Sequence, residues 1–252
     1  MSRLWIVVAV LLCVAGLLGQ QPPAATETPG SKIWIGHHQE FEDYLRTAEC
    51  ASIDVFPKTN LTRCTLRPGG PAARIAWRAR PSGAYRGFRE RYKTEIAAYE
   101  LDKLLKLDMV PPTVARQMQG VDGAAQLWVE NVVDGTGKES PGESQVAAWD
   151  AQRVRMAMFD NLIGNADRNL ANMLRDSSWN LILIDHSRAF GPGLELHHKM
   201  TRIDEACWAR MDGLTQKQLD AALGAWLAEN EIRAILDRRD RMRSEIKSLP
   251  KQ

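Results

Sequence analysis

The segment that most constrains the fold is residues 158–190, which read MFDNLIGNADRNLANMLRDSSWNLILIDHSRAF. Two apolar runs, residues 172–175 and 181–184, are joined by the turn-rich connector DSSWN, a pattern that predicts a β-hairpin. A polar loop lies outside each run, at residues 164–172 and 185–190. Because the two strands of a hairpin run antiparallel, both polar loops are expected at the same end of it.

Three side chains of these loops, Asp167, Asn172 and Asp185, are therefore expected to converge on one small volume. Carboxylate and amide oxygens are hard ligands that suit Mg²⁺ or Mn²⁺, and Mg²⁺ completes its shell with water and substrate phosphates. In protein kinases a catalytic Asp precedes a metal-binding Asn by five residues, and a second metal-binding Asp follows a hairpin. Asn172 stands five residues after Asp167, and Asp185 stands thirteen after Asn172. The alternative is that all three are ordinary turn or strand-end residues.

The two loops resemble the paired motifs of the phosphatidylinositol 3-/4-kinase-like superfamily. The motifs are IGNADRNLAN at residues 163–172 and IDHSRAFG at residues 184–191. Within the superfamily, the chain is most similar to bacterial relatives of the secretory-pathway kinases of the Golgi casein kinase type. It is more distantly similar to the toxin kinases of toxin–antitoxin pairs. The resemblance covers roughly residues 70–245.

The resemblance implies a phosphotransferase that uses ATP with Mg²⁺ or Mn²⁺ and acts on a hydroxyl of a protein, a lipid or a small molecule. It makes Asp167 the catalytic base and Asn172 and Asp185 the metal ligands. Asn169 departs from the pattern, since many relatives have His in the Asp-Arg-His triplet. The alternative is a catalytically silent kinase-like module that binds nucleotide or a protein partner.

Residues 70–134 have the pattern of a small α/β lobe, which the resemblance makes the nucleotide-binding lobe. Arg78 lies in the alternating strand RIAWRAR, and Glu95 lies on an amphipathic helix predicted over residues 90–107. By resemblance, these two form the pair that holds the α- and β-phosphates, but the family usually has Lys where Arg78 stands. The departure favours the silent module. The alternatives are that Arg78 is a solvated strand residue and that Glu95 lies on an exposed helix face.

Glu130 and Val132 lie in the stretch QLWVENVV, which is either an interior strand or, by resemblance, the linker whose backbone meets adenine. Residues 135–249 are predicted as a helical large lobe that carries the catalytic loop (residues 164–172) and the metal loop (residues 185–190). Arg238 and Arg239 of its last helix are expected to face outward. The predicted fold class is α+β: a bilobal protein-kinase-like fold with a small α/β lobe and a mostly helical large lobe.

Residues 1–21 are predicted as a secretory signal peptide, since Arg3 precedes an apolar run that is short for a membrane span. Cleavage gives an exported protein, periplasmic or secreted, whereas an uncleaved segment anchors it to a membrane. Residues 22–30 are Pro-rich and are predicted as a flexible linker. Residues 31–69 are assigned as an N-terminal extension. Export also favours the silent module, because ATP is scarce outside a bacterial cytoplasm.

Export places the cysteines in a compartment where thiols oxidise. Three cysteines follow the signal, and the favoured pair is Cys50 with Cys64, which leaves Cys207 unpaired. The formal net charge of +2 is too near neutral to argue for a nucleic acid partner. The partners that the sequence predicts are therefore a nucleotide and a hydroxyl-bearing acceptor.

Overall fold

The structure is a computed structural model that describes residues 31–56, 61–79 and 91–250. The signal peptide and the linker predicted for residues 1–21 and 22–30 lie outside the described residues. Among the helices of the described part, none is long and apolar enough to cross a membrane.

The small lobe is built on a five-stranded antiparallel sheet in which the strand order is β1-β2-β3-β5-β4. Its strands are β1 Cys50–Phe56, β2 Leu61–Leu66, β3 Arg74–Ala79, β4 Thr113–Met118 and β5 Val121–Leu127. Gln119 and Gly120 connect β4 to β5, and both have positive φ, at 51° and 77°. A two-residue hairpin turn of type I′ requires this conformation at both positions, so the turn sets the register of the pair.

Residues 31–69 were predicted as an N-terminal extension, but the described parts of this range, residues 31–56 and 61–69, are an integral part of the small lobe. Helix α1 (His38–Thr47) packs against the sheet, and its Phe41 and Leu45 are buried in the same apolar cluster as Trp77 of β3. The pairing of β1 with β2 and of β2 with β3 cannot be read from local pattern, because strand pairing is decided by contacts distant in sequence. The boundary assigned at residue 69 therefore does not separate two units.

The predicted disulfide between Cys50 and Cys64 is confirmed and joins β1 to β2. The third cysteine of the described residues, Cys207, is free and buried. Burial raises the pKa of the Cys207 thiol to about 12, so that it stays protonated at neutral pH. The disulfide thus braces the outer edge of the sheet, and Cys207 acts as a small apolar core residue.

Helix α2 (Tyr92–Leu105) lies between the two lobes. It contacts β4 and β5 of the sheet, and its Tyr99 and Leu101 are fully buried in the core of the large lobe. The large lobe contains four more helices: α3 Glu143–Ile163, α4 Glu205–Asp212, α5 Gln216–Leu223 and α6 Glu229–Lys247. Because α2 packs its apolar side chains into the core of the large lobe and also contacts the sheet, it holds the sheet against the large lobe.

The predicted hairpin is confirmed. Strands β7 (Met173–Arg175) and β8 (Leu181–Leu183) pair antiparallel, and β6 (Val133–Asp134) adds a third strand. The three residues of β8 are fully buried, and burial of each such side chain is worth roughly 1.5–3 kcal/mol. In the turn, Asp176 accepts hydrogen bonds from the backbone N–H groups of Ser178 and Asn180. The hairpin therefore supports both the loop that precedes its first strand and the loop that follows its second strand.

Arg238 is fully buried, and the expectation that it faces outward is wrong. It lies one helical turn from the buried Ile235, on the apolar face of α6. Its guanidinium donates to the backbone oxygens of Leu162, Gly191 and Gly193, at 2.8, 2.9 and 2.7 Å. Burial lowers the pKa of Arg238 to about 10, which still leaves it charged at neutral pH. The side chain joins the end of α3 to the segment after the metal loop.

Candidate active site

Arg168 holds the loop of residues 164–172 in place. Its side chain is 1% exposed and forms a bidentate pair with the fully buried Asp160, at 2.9 and 3.0 Å. The same guanidinium donates to the backbone oxygens of Asn172 and Ile184, each at 2.8 Å. One of these oxygens directly precedes the first strand of the hairpin and the other directly follows the second strand. One side chain therefore fixes both functional loops. The sequence analysis did not assign Arg168 a role.

Asp167, the predicted catalytic base, lies at the surface of this loop, where its side chain is 41% exposed. One carboxylate oxygen, Oδ2, is 3.1 Å from Nη1 of Arg188. The backbone of Asp167 is held on both sides: its N–H donates to Asn165 Oδ1 at 3.2 Å, and its carbonyl oxygen accepts from Asn172 Nδ2 at 3.3 Å. The backbone of Asp167 is thus fixed, and its carboxylate lies at the surface with one oxygen against Arg188.

Asn172 and Asp185, the predicted metal ligands, lie at the same end of the hairpin. The N–H of Ile184 donates to the carbonyl oxygen of Asn172 at 3.2 Å, which makes Asp185 the neighbour of Asn172. Asp185 has a φ of 59°, an uncommon left-handed conformation that recurs at functional sites. Burial acts to raise the pKa of Asp185, but Arg78 and Ser187 outweigh it and hold that pKa below its usual value. The carboxylate is ionised at neutral pH.

The donor set at this position is one carboxylate and one amide oxygen. No group of three or more His, Cys, Asp or Glu side chains within the described residues is arranged to hold a metal ion. A hard divalent ion that keeps several waters and substrate phosphates in its shell fits such a sparse set. Asn172 and Asp185 are therefore suited to Mg²⁺ or Mn²⁺ bound together with a phosphate ligand.

Arg78 and Glu95, the predicted phosphate-holding pair, are brought together by β3 and α2. Nε of Arg78 is 3.2 Å from Glu95 Oε1, and Nη2 is 3.0 Å from Asp185 Oδ2. Glu95 is 3% exposed, and its Oε2 accepts from the backbone N–H of His186 at 2.9 Å. The alternatives of a solvated strand residue and an exposed helix face are thus wrong. Arg78 bridges the carboxylate of the small lobe to that of the metal loop.

His186 is a further buried polar residue of the site that the sequence analysis did not single out. Its Nε2 is 2.9 Å from Nη2 of Arg168, and its Nδ1 is 3.6 Å from Glu95 Oε2. A guanidinium can only donate, so Nε2 accepts and the ring proton is on Nδ1, which faces the carboxylate. The ring therefore links the catalytic loop to the phosphate-holding pair through the protein interior.

A cavity of about 400 Å³ opens between the lobes. Arg78 and Glu95 line one end, and residues 128–132 line another part of its wall. Three residues of the large lobe complete the wall: Ala171, Leu174 and Ile184. The volume is within the range of small-molecule sites. Ala171 and Ile184 directly precede Asn172 and Asp185 in the chain, although neither predicted metal ligand lines the cavity itself.

Glu130 and Val132 both line the cavity from the segment that joins the lobes. Strand β5 ends at Leu127, so neither residue lies in an interior strand, and that alternative is wrong. The carboxylate of Glu130 is paired with Arg74, with an Nε–Oε1 distance of 2.8 Å. The Glu130 carboxylate is therefore engaged within the protein, and the role of this segment as the adenine-binding linker stays a prediction.

Comparison with solved structures defines the class of fold. The crystal structure of the Golgi casein kinase matches with a TM-score of 0.59 at 14% identity, covering 84% of this chain and 74% of that one. The same kinase with Mn/ADP bound gives 0.58 at 14%, covering 83% and 75%. The structure of hydra Fam20 with sugar gives 0.62 at 16%, covering 83% and 88%. The predicted bilobal α+β fold is thus confirmed.

Comparison of sequences gives one particular relative. The human glycosaminoglycan xylosylkinase is 31% identical over an alignment of 126 residues, and the match covers 46% of this chain and 30% of that protein. The chain therefore spans less than a third of the length of this relative. No family model matches the chain. The predicted likeness to the Golgi casein kinase is confirmed, whereas membership of the phosphatidylinositol 3-/4-kinase-like superfamily and a bacterial origin stay predictions.

Proposed function

We propose that this chain is an exported phosphotransferase of the phosphatidylinositol 3-/4-kinase-like superfamily, which moves the γ-phosphoryl group of ATP to a hydroxyl of a protein, a lipid or a small molecule. One observation carries the proposal: Arg78 joins Glu95 and Asp185 at a cavity between the lobes, beside the loop of Asp167. The Golgi casein kinase fold and the identity to a human xylosylkinase support it.

The cavity offers a nucleotide two kinds of contact. Backbone groups of residues 128–132 can pair with the adenine edge, and Arg78 can bind the α- and β-phosphates while Glu95 holds its guanidinium. The Golgi casein kinase has been solved with Mn/ADP bound, which supports the same ligand class here. Because an Arg fork binds phosphate bidentately, the Lys usually found at this position is not required for the contact.

Asn172 and Asp185 would hold a divalent ion, Mg²⁺ or Mn²⁺, which when bound neutralises phosphate charge. Both oxygens of the Asp185 carboxylate have protein partners: Oδ1 accepts from the Ser187 hydroxyl at 2.9 Å, and Oδ2 contacts Arg78. Arg78 must therefore release Oδ2 before that oxygen can bind a metal. Its natural new partner is a phosphate of the nucleotide.

Asp167 takes the proton of the acceptor hydroxyl. The acceptor oxygen forms a bond to the γ-phosphorus as the bond between this phosphorus and the β–γ bridging oxygen breaks, and ADP leaves. Arg168 and Asn172 fix the backbone on which Asp167 stands, so the protein contributes mainly by positioning and by neutralising charge.

The test is the thermal shift of the purified chain with ATP plus Mn²⁺ or Mg²⁺, since a ligand that binds the folded state raises its stability. We expect stabilisation by the nucleotide in the native protein and its loss in Asp185→Ala. Asp150→Ala, which removes a half-exposed carboxylate of α3 outside the site, is the matched control and should keep the shift.

The second candidate function is the silent kinase-like module, and the occupation of Asp185 by Arg78 favours it. A chain whose metal ligand stays paired with an internal cation would bind a protein partner without transfer. The absence of a shift with every nucleotide and metal would select this module over the phosphotransferase.

A further inference from the structure

Arg188 lies between the two functional loops. It follows Asp185 by three residues in the metal loop, and its Nη1 is 3.1 Å from Oδ2 of Asp167 in the catalytic loop. Its side chain is 21% exposed. The planar fork of its guanidinium matches the oxygens of a phosphoryl group. The pair therefore places a cationic side chain at the oxygen that has to meet the acceptor hydroxyl.

The backbone around Arg188 is held by contacts that do not involve Asp167. The N–H of Arg91 donates to the carbonyl oxygen of Ser187 at 3.2 Å, and Nη2 of Arg91 donates to that of Ala189 at 3.1 Å. Both neighbours of Arg188 in the chain are thus fixed by Arg91. The path of the loop at Arg188 therefore does not depend on the pair between Arg188 and Asp167.

The charges of the site point to what that ligand is. Arg78 is shared between Glu95 and Asp185, so the phosphate-holding end of the site has two carboxylates for one guanidinium. Arg188 brings a second guanidinium next to Asp167. The attacking oxygen and the γ-phosphorus meet beside Asp167. Negative charge is spread over the three equatorial oxygens of the transferring group at that place.

We propose that Arg188 is a further catalytic residue, which leaves Asp167 when ATP binds and contacts the γ-phosphoryl group. This inference rests on the proposed phosphotransferase function. The exchange frees the Asp167 oxygen for the acceptor hydroxyl and supplies a donor where charge develops in the transition state. It also means that ATP, but not ADP, releases the Asp167 carboxylate from Arg188.

The experiment compares ATP and ADP binding by isothermal titration calorimetry in the presence of Mn²⁺, for the native chain, Arg188→Ala and Arg188→Lys. We expect Arg188→Ala to weaken ATP binding roughly 10- to 100-fold, the range of a lost hydrogen bond to a charged group, and to leave the Kd of ADP within about twofold. Arg188→Lys should recover part of the loss, because it keeps the charge but not the fork.

Retained ADP binding also shows that Arg188→Ala is folded. The matched control is Arg153→Ala, which removes an exposed arginine whose pair with Asp150 lies outside the site, and it should bind both nucleotides like the native chain. Equal losses for ATP and ADP, or no loss for either, would overturn the role of Arg188 while leaving the proposed function intact. If the native chain binds neither ATP nor ADP, the proposed function is overturned, and this inference with it.

Discussion

Replacement of Arg168 by Met should destabilise the fold and the catalytic loop together. The substitution keeps a long apolar side chain but leaves Asp160 as a fully buried carboxylate without its bidentate partner. Removal of one partner of a buried ion pair costs about 3–5 kcal/mol. For a protein of this size, that corresponds to a fall of about 6–20 °C in Tm, at about 2–4 °C for each kcal/mol.

The assay is a double-mutant cycle in urea, with Arg168→Met, Asp160→Asn and the double variant. We expect each single substitution to lower the free energy of unfolding by several kcal/mol. The double substitution should lower it by less than the sum of the two, because the double variant has neither charge alone in the interior. The exposed pair of Arg153 and Asp150 is the matched control, and Arg153→Met should cost less than about 1 kcal/mol. A loss below about 1 kcal/mol for Arg168→Met would refute the assignment of Arg168 as the residue that fixes both loops.

Two further outcomes are expected. Asp167→Asn should abolish phosphoryl transfer and keep nucleotide binding, measured by product formation and calorimetry on one preparation, and retained turnover would contradict its role as the base. Asp102→Asn should stabilise the fold, because burial raises the pKa of Asp102 to about 8 from 3.8. Since the folded state holds this proton more tightly than the unfolded chain, ionisation costs stability as the pH rises from about 4 to about 8. The advantage of Asp102→Asn in urea melts should therefore grow over this window, and a constant difference would contradict the shift.

The parts of the site that local pattern encodes were predictable. The hairpin follows from two apolar runs and a turn-rich connector, and it alone places Asn172 next to Asp185. The kinase resemblance also picked out Arg78 and Glu95, which the structure joins at 3.2 Å. Such features are visible because each depends on residues within a few positions or on a spacing that chemistry constrains.

The residues that escaped prediction are those whose partners are distant in sequence. Arg168 and His186 looked like ordinary polar loop residues, yet both are buried in one polar network. Arg188 gave no signal beyond its place three residues after Asp185. Arg238 was assigned to solvent because charged residues surround it in α6, although its spacing from Ile235 was a usable hint. The strands β1 and β2 were not predicted either, since their place in the sheet depends on the pairing of β2 with β3 at a distance in sequence.

The contacts of Arg238 also bear on how the chain matures during synthesis. One guanidinium joins the end of α3 to the backbone of Gly191 and Gly193, just after the metal loop. Domains fold as the ribosome releases them, from the N-terminus onward. The catalytic and metal loops emerge from the ribosome well before Arg238. They therefore lack the hydrogen bonds from Arg238 until α6 has been synthesised. A nascent chain that stops short of α6 should therefore carry every residue of the site and still lack its final geometry.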